Sequence, residues 1–70
     1  MRDFNDSYGE PVFPNDKIKI LDHQNDVFNN VIAVVGWDEK FGMFVFYPVV
    51  AQLSGRHDFY GIGLFKKIKL

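Results

Sequence analysis

The sequence contains no cysteine and no threonine, and its only serines are Ser7 and Ser54. A disulfide framework and a thiolate metal site are therefore excluded. Nucleophilic catalysis needs a serine, threonine or cysteine beside a base, and both serines lie among turn-forming residues. His23 and His57 each adjoin an aspartate, but their spacing matches no metal-ligand pattern. We therefore expect no enzyme activity, no catalytic residue, no metal and no cofactor.

Long apolar runs are also missing. No segment approaches the roughly 18 consecutive apolar residues that a membrane-spanning helix needs. Residues 1–6 are polar and acidic, unlike the apolar region of a secretory signal peptide. Since the lack of cysteine also fits a reducing compartment, the sequence predicts a cytoplasmic protein.

Neither sign of charge is in large excess, because the net charge is only −1. No strong overall field therefore draws the protein to nucleic acid or to a membrane. The charges are nevertheless divided unevenly. Residues 1–55 hold four basic and eight acidic residues, whereas residues 56–70 hold four basic residues and one acidic residue. The basic end is either a mildly basic last strand or a patch that contacts phosphate.

Two apolar runs dominate the 70-residue chain, at 31–37 and 41–47, with three polar residues between them. Their β-branched and aromatic residues and the short polar turn predict a β-hairpin. Residues 17–21 alternate between lysine and aliphatic side chains, which indicates a strand with one solvated face. With a closing strand in 59–70, the sequence predicts an all-β fold of about five antiparallel strands and at most a short helical turn. We expect a single SH3-like barrel domain over residues 1–70.

Neither strand of the hairpin has a polar face, because apolar side chains occupy odd and even positions alike. Strands of this kind are usually covered on both faces. We expect the curl of a barrel, the N-terminal segment or a second subunit to provide the second cover. In the closing strand, Ile62 and Leu64 share an inward face with Ile68 and Leu70 only if Lys66 also points inward. We expect a β-bulge at Lys66-Lys67 to resolve this conflict.

Three segments together resemble the YopX-like family of phage and prophage proteins. Residues 6–20 are similar to the opening of that family, in which a D-x-x-G turn leads to an apolar pair, an acidic turn residue and a first strand. Residues 31–46, with Trp37-Asp38-Glu39 at the turn, are similar to its central hairpin, and residues 60–70 to its closing strand. The resemblance implies a small β-barrel of viral or prophage origin that acts in the host cytoplasm. It implies no particular activity.

Aromatic and basic residues occur together in the second half of the chain. Because exposed aromatic surface marks protein interfaces, we predict a non-enzymatic interaction module. It would act through protein–protein contact or self-association as a homo-oligomer, and one version is an inhibitor of a host protein. The predicted protein-binding residues are Trp37, Phe44, Phe46, Tyr60, Arg56 and His57. The alternative is a nucleic-acid-binding barrel that uses Arg56, Lys66, Lys67 and Lys69. The sequence leaves open which face of the hairpin is exposed.

Overall fold

The computed structural model of the chain describes residues 3–69, which form one antiparallel sheet. Its strands are β1 (Lys17–Leu21), β2 (Ile32–Asp38), β3 (Met43–Pro48), β4 (His57–Asp58) and β5 (Leu64–Lys67). A three-residue 3-10 helix, Ala51–Leu53, follows β3. The strand order is β4-β3-β2-β1-β5. The predicted all-β class, with five antiparallel strands and one short helical turn, is confirmed.

The sheet is open, with β4 and β5 as its edge strands. Within residues 3–69 no main-chain pairing joins these two edges, so hydrogen bonds do not close the sheet into the predicted SH3-like barrel. The sheet is nevertheless curled. The ring of Phe59, which directly follows β4, lies 4.9 Å between centroids from the ring of Phe65 in β5. Aromatic packing on the inner face therefore bridges the gap that the strands leave.

The central hairpin forms where the sequence predicts it, but its second strand begins later. Asp38 pairs with Met43, so the loop comprises residues 39–42. The Asp38 carboxylate accepts a hydrogen bond from the Phe41 N–H (3.2 Å), and Gly42 has φ +62°, a left-handed conformation that glycine adopts readily. Phe41 was predicted within the strand and instead lies in this loop, 60% exposed.

The core lies on the inner face of the sheet. Its most completely buried large side chains are Val12, Ile18, Ile20, Val35 and Phe46, all within one contiguous cluster. Val45 is also 0% exposed, but it pairs with Gly36 and lies on the outer face. The register places Phe44 opposite Trp37 and Phe46 opposite Val35, on this inner face. Phe44 and Phe46 are 8% and 0% exposed. The prediction that both rings are exposed is therefore wrong, because the inner face of β3 is the buried one. Their assignment to protein binding stays a prediction.

Within the single chain the outer face of the hairpin is only partly covered, and the expected cover by a second subunit stays a prediction. Ile32 and Tyr47 lie on this face and are 38% and 44% exposed. The N-terminal segment, one of the expected covers, packs instead on the inner side. Phe4 stacks on Phe44 there (4.4 Å between centroids), and Val12 belongs to the core. The open sheet therefore presents an accessible outer face.

The phase of β5 is the reverse of the predicted one. The register between β1 and β5 is uninterrupted, so no β-bulge occurs at Lys66. Phe65 is buried and Leu64 is 52% exposed. Lys67 takes an inward-facing position at the rim of the sheet, where its Nζ lies 3.2 Å from the carboxylate of Asp16. A charged side chain is tolerated at this position because its ammonium reaches a carboxylate at the rim.

Asp6 is the buried polar residue that joins the two ends of the described chain, with 6% of its surface exposed. One carboxylate oxygen accepts the N–H groups of Tyr8 (2.8 Å) and Glu10 (2.9 Å). The other oxygen accepts the N–H of Lys67 at 2.7 Å. Buried carboxylates are retained where hydrogen bonds replace water. We call residues 6–10 the N-terminal clasp.

The clasp also covers the outer edge of β5. Ser7 donates its N–H to the Phe65 carbonyl (3.0 Å), and its hydroxyl accepts the Phe65 N–H at 3.0 Å. An unpaired edge strand is a template for pairing with other chains. Because Asp6 and Ser7 occupy the N–H groups of Lys67 and Phe65, this edge is closed to such pairing.

The clasp predicts a pH dependence of stability. Burial acts to raise the pKa of Asp6, but the N–H groups of Lys67, Glu10 and Tyr8 and the charge of Lys66 together lower this pKa below its ordinary value. The stability that ionised Asp6 contributes is therefore complete above the unfolded-state pKa of about 4 and is lost as pH falls through the lower folded-state pKa. Urea denaturation at a series of pH values measures this loss.

An Asp6→Asn variant isolates that contribution. The difference in unfolding free energy between the native protein and Asp6→Asn should be constant above about pH 5 and shrink below about pH 4. Asp26→Asn, which alters an exposed carboxylate, is the matched control and should show almost no difference at any pH. A difference for Asp6→Asn that stays constant to the lowest pH at which both proteins fold would contradict the lowered pKa.

Candidate functional site

An aromatic groove opens between the hairpin loop and the segment that follows β4. Its volume is about 530 Å³, and its lining includes Phe4, Trp37, Phe41, Phe44, Phe59 and Tyr60. Ligand clefts in proteins occupy about 300–1,000 Å³ and are lined mainly by apolar and aromatic side chains. We call this cleft the aromatic groove.

One buried ring, Phe44, and three half-buried rings form the floor of the aromatic groove. Phe44 stacks on Phe4 with 4.4 Å between centroids and 11° between planes. The indole of Trp37 meets Phe44 edge-on at 4.9 Å, and Phe59 meets Phe4 at 5.0 Å. Stacked and edge-to-face pairs at these distances each contribute about 0.5–1.5 kcal/mol beyond area burial. The floor is therefore held in place by the same contacts that hold the inner face of the sheet.

Exposed rings form the rim. Phe41 and Tyr60 are 60% and 87% exposed, on loops that are far apart in the sequence. The N–H of Tyr60 donates to the Asp58 carboxylate at 3.0 Å, which fixes the turn after β4. The Arg56 guanidinium lies 5.3 Å from the centre of the Phe41 ring and binds the Asp38 carboxylate at 2.8 Å. This cation–π contact and ion pair tie the hairpin loop to the chain before β4.

The structure divides the remaining predicted protein-binding residues between two places. Trp37 and Tyr60 both line the aromatic groove, and Arg56 adjoins it through its contact with a rim ring. His57 lies elsewhere, because β4 directs its half-buried ring onto Phe46 with 5.6 Å between centroids. His57 therefore packs against the core and does not line the groove.

Sequence reasoning did not assign Phe4 or Phe41 to the site. A signal for Phe41 was present, since Asp38 and Gly42 bracket a hairpin loop in which the ring must lie. The sequence holds no comparable signal for Phe4. Its position depends on the N-terminal segment folding back on the inner face, where its carbonyl accepts the Val12 N–H at 2.7 Å.

The four predicted nucleic-acid-binding residues do not form one free basic patch. Arg56 precedes β4, whereas the three lysines lie on or just after β5, the opposite edge strand. Three of the four are bound to different carboxylates, in the pairs Arg56–Asp38 (2.8 Å), Lys67–Asp16 (3.2 Å) and Lys69–Glu10 (2.7 Å). Their charges are therefore offset locally, which weighs against this grouping as a phosphate-binding surface.

Within residues 3–69, no three histidine, aspartate or glutamate side chains come together in a way that would hold a metal ion. In the same part of the chain, none of the helical structure is long and apolar enough to cross a membrane.

Comparisons of the chain with protein-family models, with curated proteins and with solved structures give no match. The resemblance to the YopX-like family stays a prediction. What the protein does must therefore be inferred from its own geometry.

Proposed function

We propose that the protein is a non-enzymatic interaction module that binds an apolar segment of a partner protein in the aromatic groove. The observation that carries the proposal is the pair of exposed rings, Phe41 and Tyr60, beside a groove whose floor consists of aromatic rings packed on one another. Aromatic residues are enriched in the buried centre of protein interfaces and supply much of the binding energy there. An apolar segment between these two rings would remove both from water. The loss of conformational entropy on binding would be small, because the rings of the floor are already packed.

Further features belong to the same proposal. The curled sheet and its central hairpin support a half-open relative of the SH3-like barrel. The segments at 6–20 and 31–46 support a phage or prophage origin through their resemblance to the YopX-like family. On that view the protein acts in the cytoplasm of the host cell, and its partner is a host or viral protein. The alternative occupant of the groove is a second copy of the chain, in which case the protein would self-associate.

Substitutions at the rim test the groove. With the protein as bait in extract of its own cell, Phe41→Ala and Tyr60→Ala should each lose the captured partner. Interface hot spots contribute about 2 kcal/mol or more, so capture should fall about 30-fold. Both variants should fold normally, because both side chains are mostly exposed.

Leu64→Ala is the matched control, since Leu64 is 52% exposed but lies on β5, away from the groove. It should capture the same partner as the native protein. Retention of the partner by both rim variants, or equal loss with Leu64→Ala, would exclude the groove as the binding site. Sedimentation of the native protein as a dimer and of Tyr60→Ala as a monomer would identify a second copy as the occupant.

A further inference from the structure

The outer face of the sheet carries a cluster of lysines that stability alone does not explain. In the register of β1 and β5, Lys19 lies directly opposite Lys66 on this face. Lys17, two residues from Lys19, is on the same face, and all three lysines are exposed. Like charges directly opposite each other on a sheet are destabilising. The arrangement therefore indicates a surface that meets negative charge from another molecule.

The charge of this cluster is not neutralised by the ion pairs of residues 3–69, all of which involve other basic side chains. The outer-face positions of β1 and β5 carry only lysine and leucine. Asp6 is near enough for its charge to interact with Lys66. The oxygens of Asp6, however, are occupied by three main-chain N–H groups and form no bond to that ammonium.

An exposed aromatic ring lies on the same face. Val34 pairs with Lys17 on one side and with Tyr47 on the other, so lysine and tyrosine are two strand spacings, about 9–10 Å, apart. A Cβ at Gly36 would approach the Tyr47 ring to 2.9 Å. The absence of a side chain at Gly36 thus lets the ring lie against the sheet, and 44% of the tyrosine remains exposed.

We infer that this outer face, formed by Lys17, Lys19, Lys66 and Tyr47, binds single-stranded nucleic acid without sequence specificity. The lysines contact successive phosphates, and a base stacks on the tyrosine ring, the combination that single-strand-binding surfaces use. Bases within a duplex are not free to stack in this way. A second copy placed symmetrically on this face would bring lysines against lysines. The site is distinct from the aromatic groove, and of the basic residues predicted from the sequence it shares only Lys66.

Fluorescence anisotropy tests the assignment, with labelled oligothymidine and oligouridine of about 15 nucleotides as probes. The native protein should bind the single strands at about 50 mM salt and a duplex of the same length much more weakly. With three phosphate contacts, the slope of log K against log salt should be about −2, since each contact on a single strand contributes about 0.7. No binding of the single strands at about 50 mM salt, or equal binding of the duplex, would overturn the inference.

Two variants that remove the same charge locate the surface. Lys19→Ala should weaken binding roughly 5- to 10-fold at about 50 mM salt and reduce the slope by about 0.7. Lys69→Ala, whose ammonium is bound to Glu10, should change neither quantity appreciably. Equal effects of the two variants would show general charge attraction in place of a site.

The tyrosine separates nucleic acid from other anionic partners. Tyr47→Ala should weaken oligonucleotide binding about 5- to 150-fold, whereas Tyr47→Phe should retain it, because stacking needs only the ring. Circular dichroism confirms that each variant is folded, and the comparison of lysine variants holds whatever Tyr47→Ala does to folding. Equal binding by native protein and a folded Tyr47→Ala variant, or binding to vesicles of anionic lipid in preference to oligonucleotides, would contradict the assignment.

Discussion

Replacing Asp6 with alanine is expected to lower the free energy of unfolding by about 3–5 kcal/mol. The change removes the acceptor of three main-chain N–H groups at a site where Asp6 is only 6% exposed. Each buried donor left without a partner costs about 1–3 kcal/mol. A domain of 70 residues has a total stability of roughly 4–10 kcal/mol, so the variant would be near the limit of folding. Urea denaturation followed by the fluorescence of Trp37, the single tryptophan, measures the change.

The control for this prediction is Asp26→Ala, which removes an exposed carboxylate and should change stability by less than about 0.5 kcal/mol. Asp6→Asn should fall between the two. Its amide oxygen can still accept the N–H groups of Tyr8 and Glu10, but its amide nitrogen cannot accept that of Lys67. A loss below about 1 kcal/mol for Asp6→Ala would show that the clasp does not hold the N-terminal segment to β5.

The second large effect is expected for Phe46→Ala, at about 3–5 kcal/mol. Phe46 is 0% exposed, and its ring contacts those of Phe28, His57 and Phe59 at 4.9–5.9 Å between centroids. Truncation of the Phe46 side chain leaves a cavity among the three remaining aromatic rings. Thermal unfolding should show a fall in Tm of at least about 12 °C, since 1 kcal/mol corresponds to about 4–8 °C in a domain of this size.

Tyr60→Ala provides the comparison, because it removes a ring of similar size that is 87% exposed. Its effect on stability should be below about 0.5 kcal/mol. The two variants thus separate a core residue from a surface residue, both of which the sequence suggested for binding. Similar losses of stability in the two would mean that the faces of β3 and of the following loop are misassigned. Phe46→Leu, which retains much of the apolar volume, should lose clearly less stability than Phe46→Ala.

The sequence was sufficient to predict the elements whose pattern is local. The strand at 17–21 alternates lysine with aliphatic residues, and the structure buries Ile18 and Ile20 as that pattern requires. The hairpin follows from two β-rich runs around a polar turn. The phase of β5 could not be predicted in this way. Its inward lysine, Lys67, is accommodated because its ammonium reaches the Asp16 carboxylate and the Pro11 carbonyl, which lie 51 and 56 positions earlier in the chain.

The candidate site was predictable only in part for a related reason. Trp37, Phe44 and Tyr60 were identified and all line the groove, but Phe44 was expected to be exposed, and the fully buried Phe46 does not line the groove. A strand that is apolar on both faces carries no periodicity from which its buried face can be recognised. The buried face of β3 is the one on which the N-terminal segment packs, since Phe4 stacks on Phe44. No local pattern in the sequence indicates that contact.

The order in which the strands pair has a consequence for a chain that is still being synthesised. β5 completes the sheet beside β1, and the bond from Lys67 to Asp6 spans 61 positions. Until residue 67 has left the ribosome, the nascent chain has β1 with one bare edge and an inner face without Phe65. Pairings between distant segments form slowly and leave apolar strands open to misassembly in the meantime. A chain that has not yet reached residue 67 therefore keeps apolar surface exposed, and the fold is complete only when β5 pairs with β1.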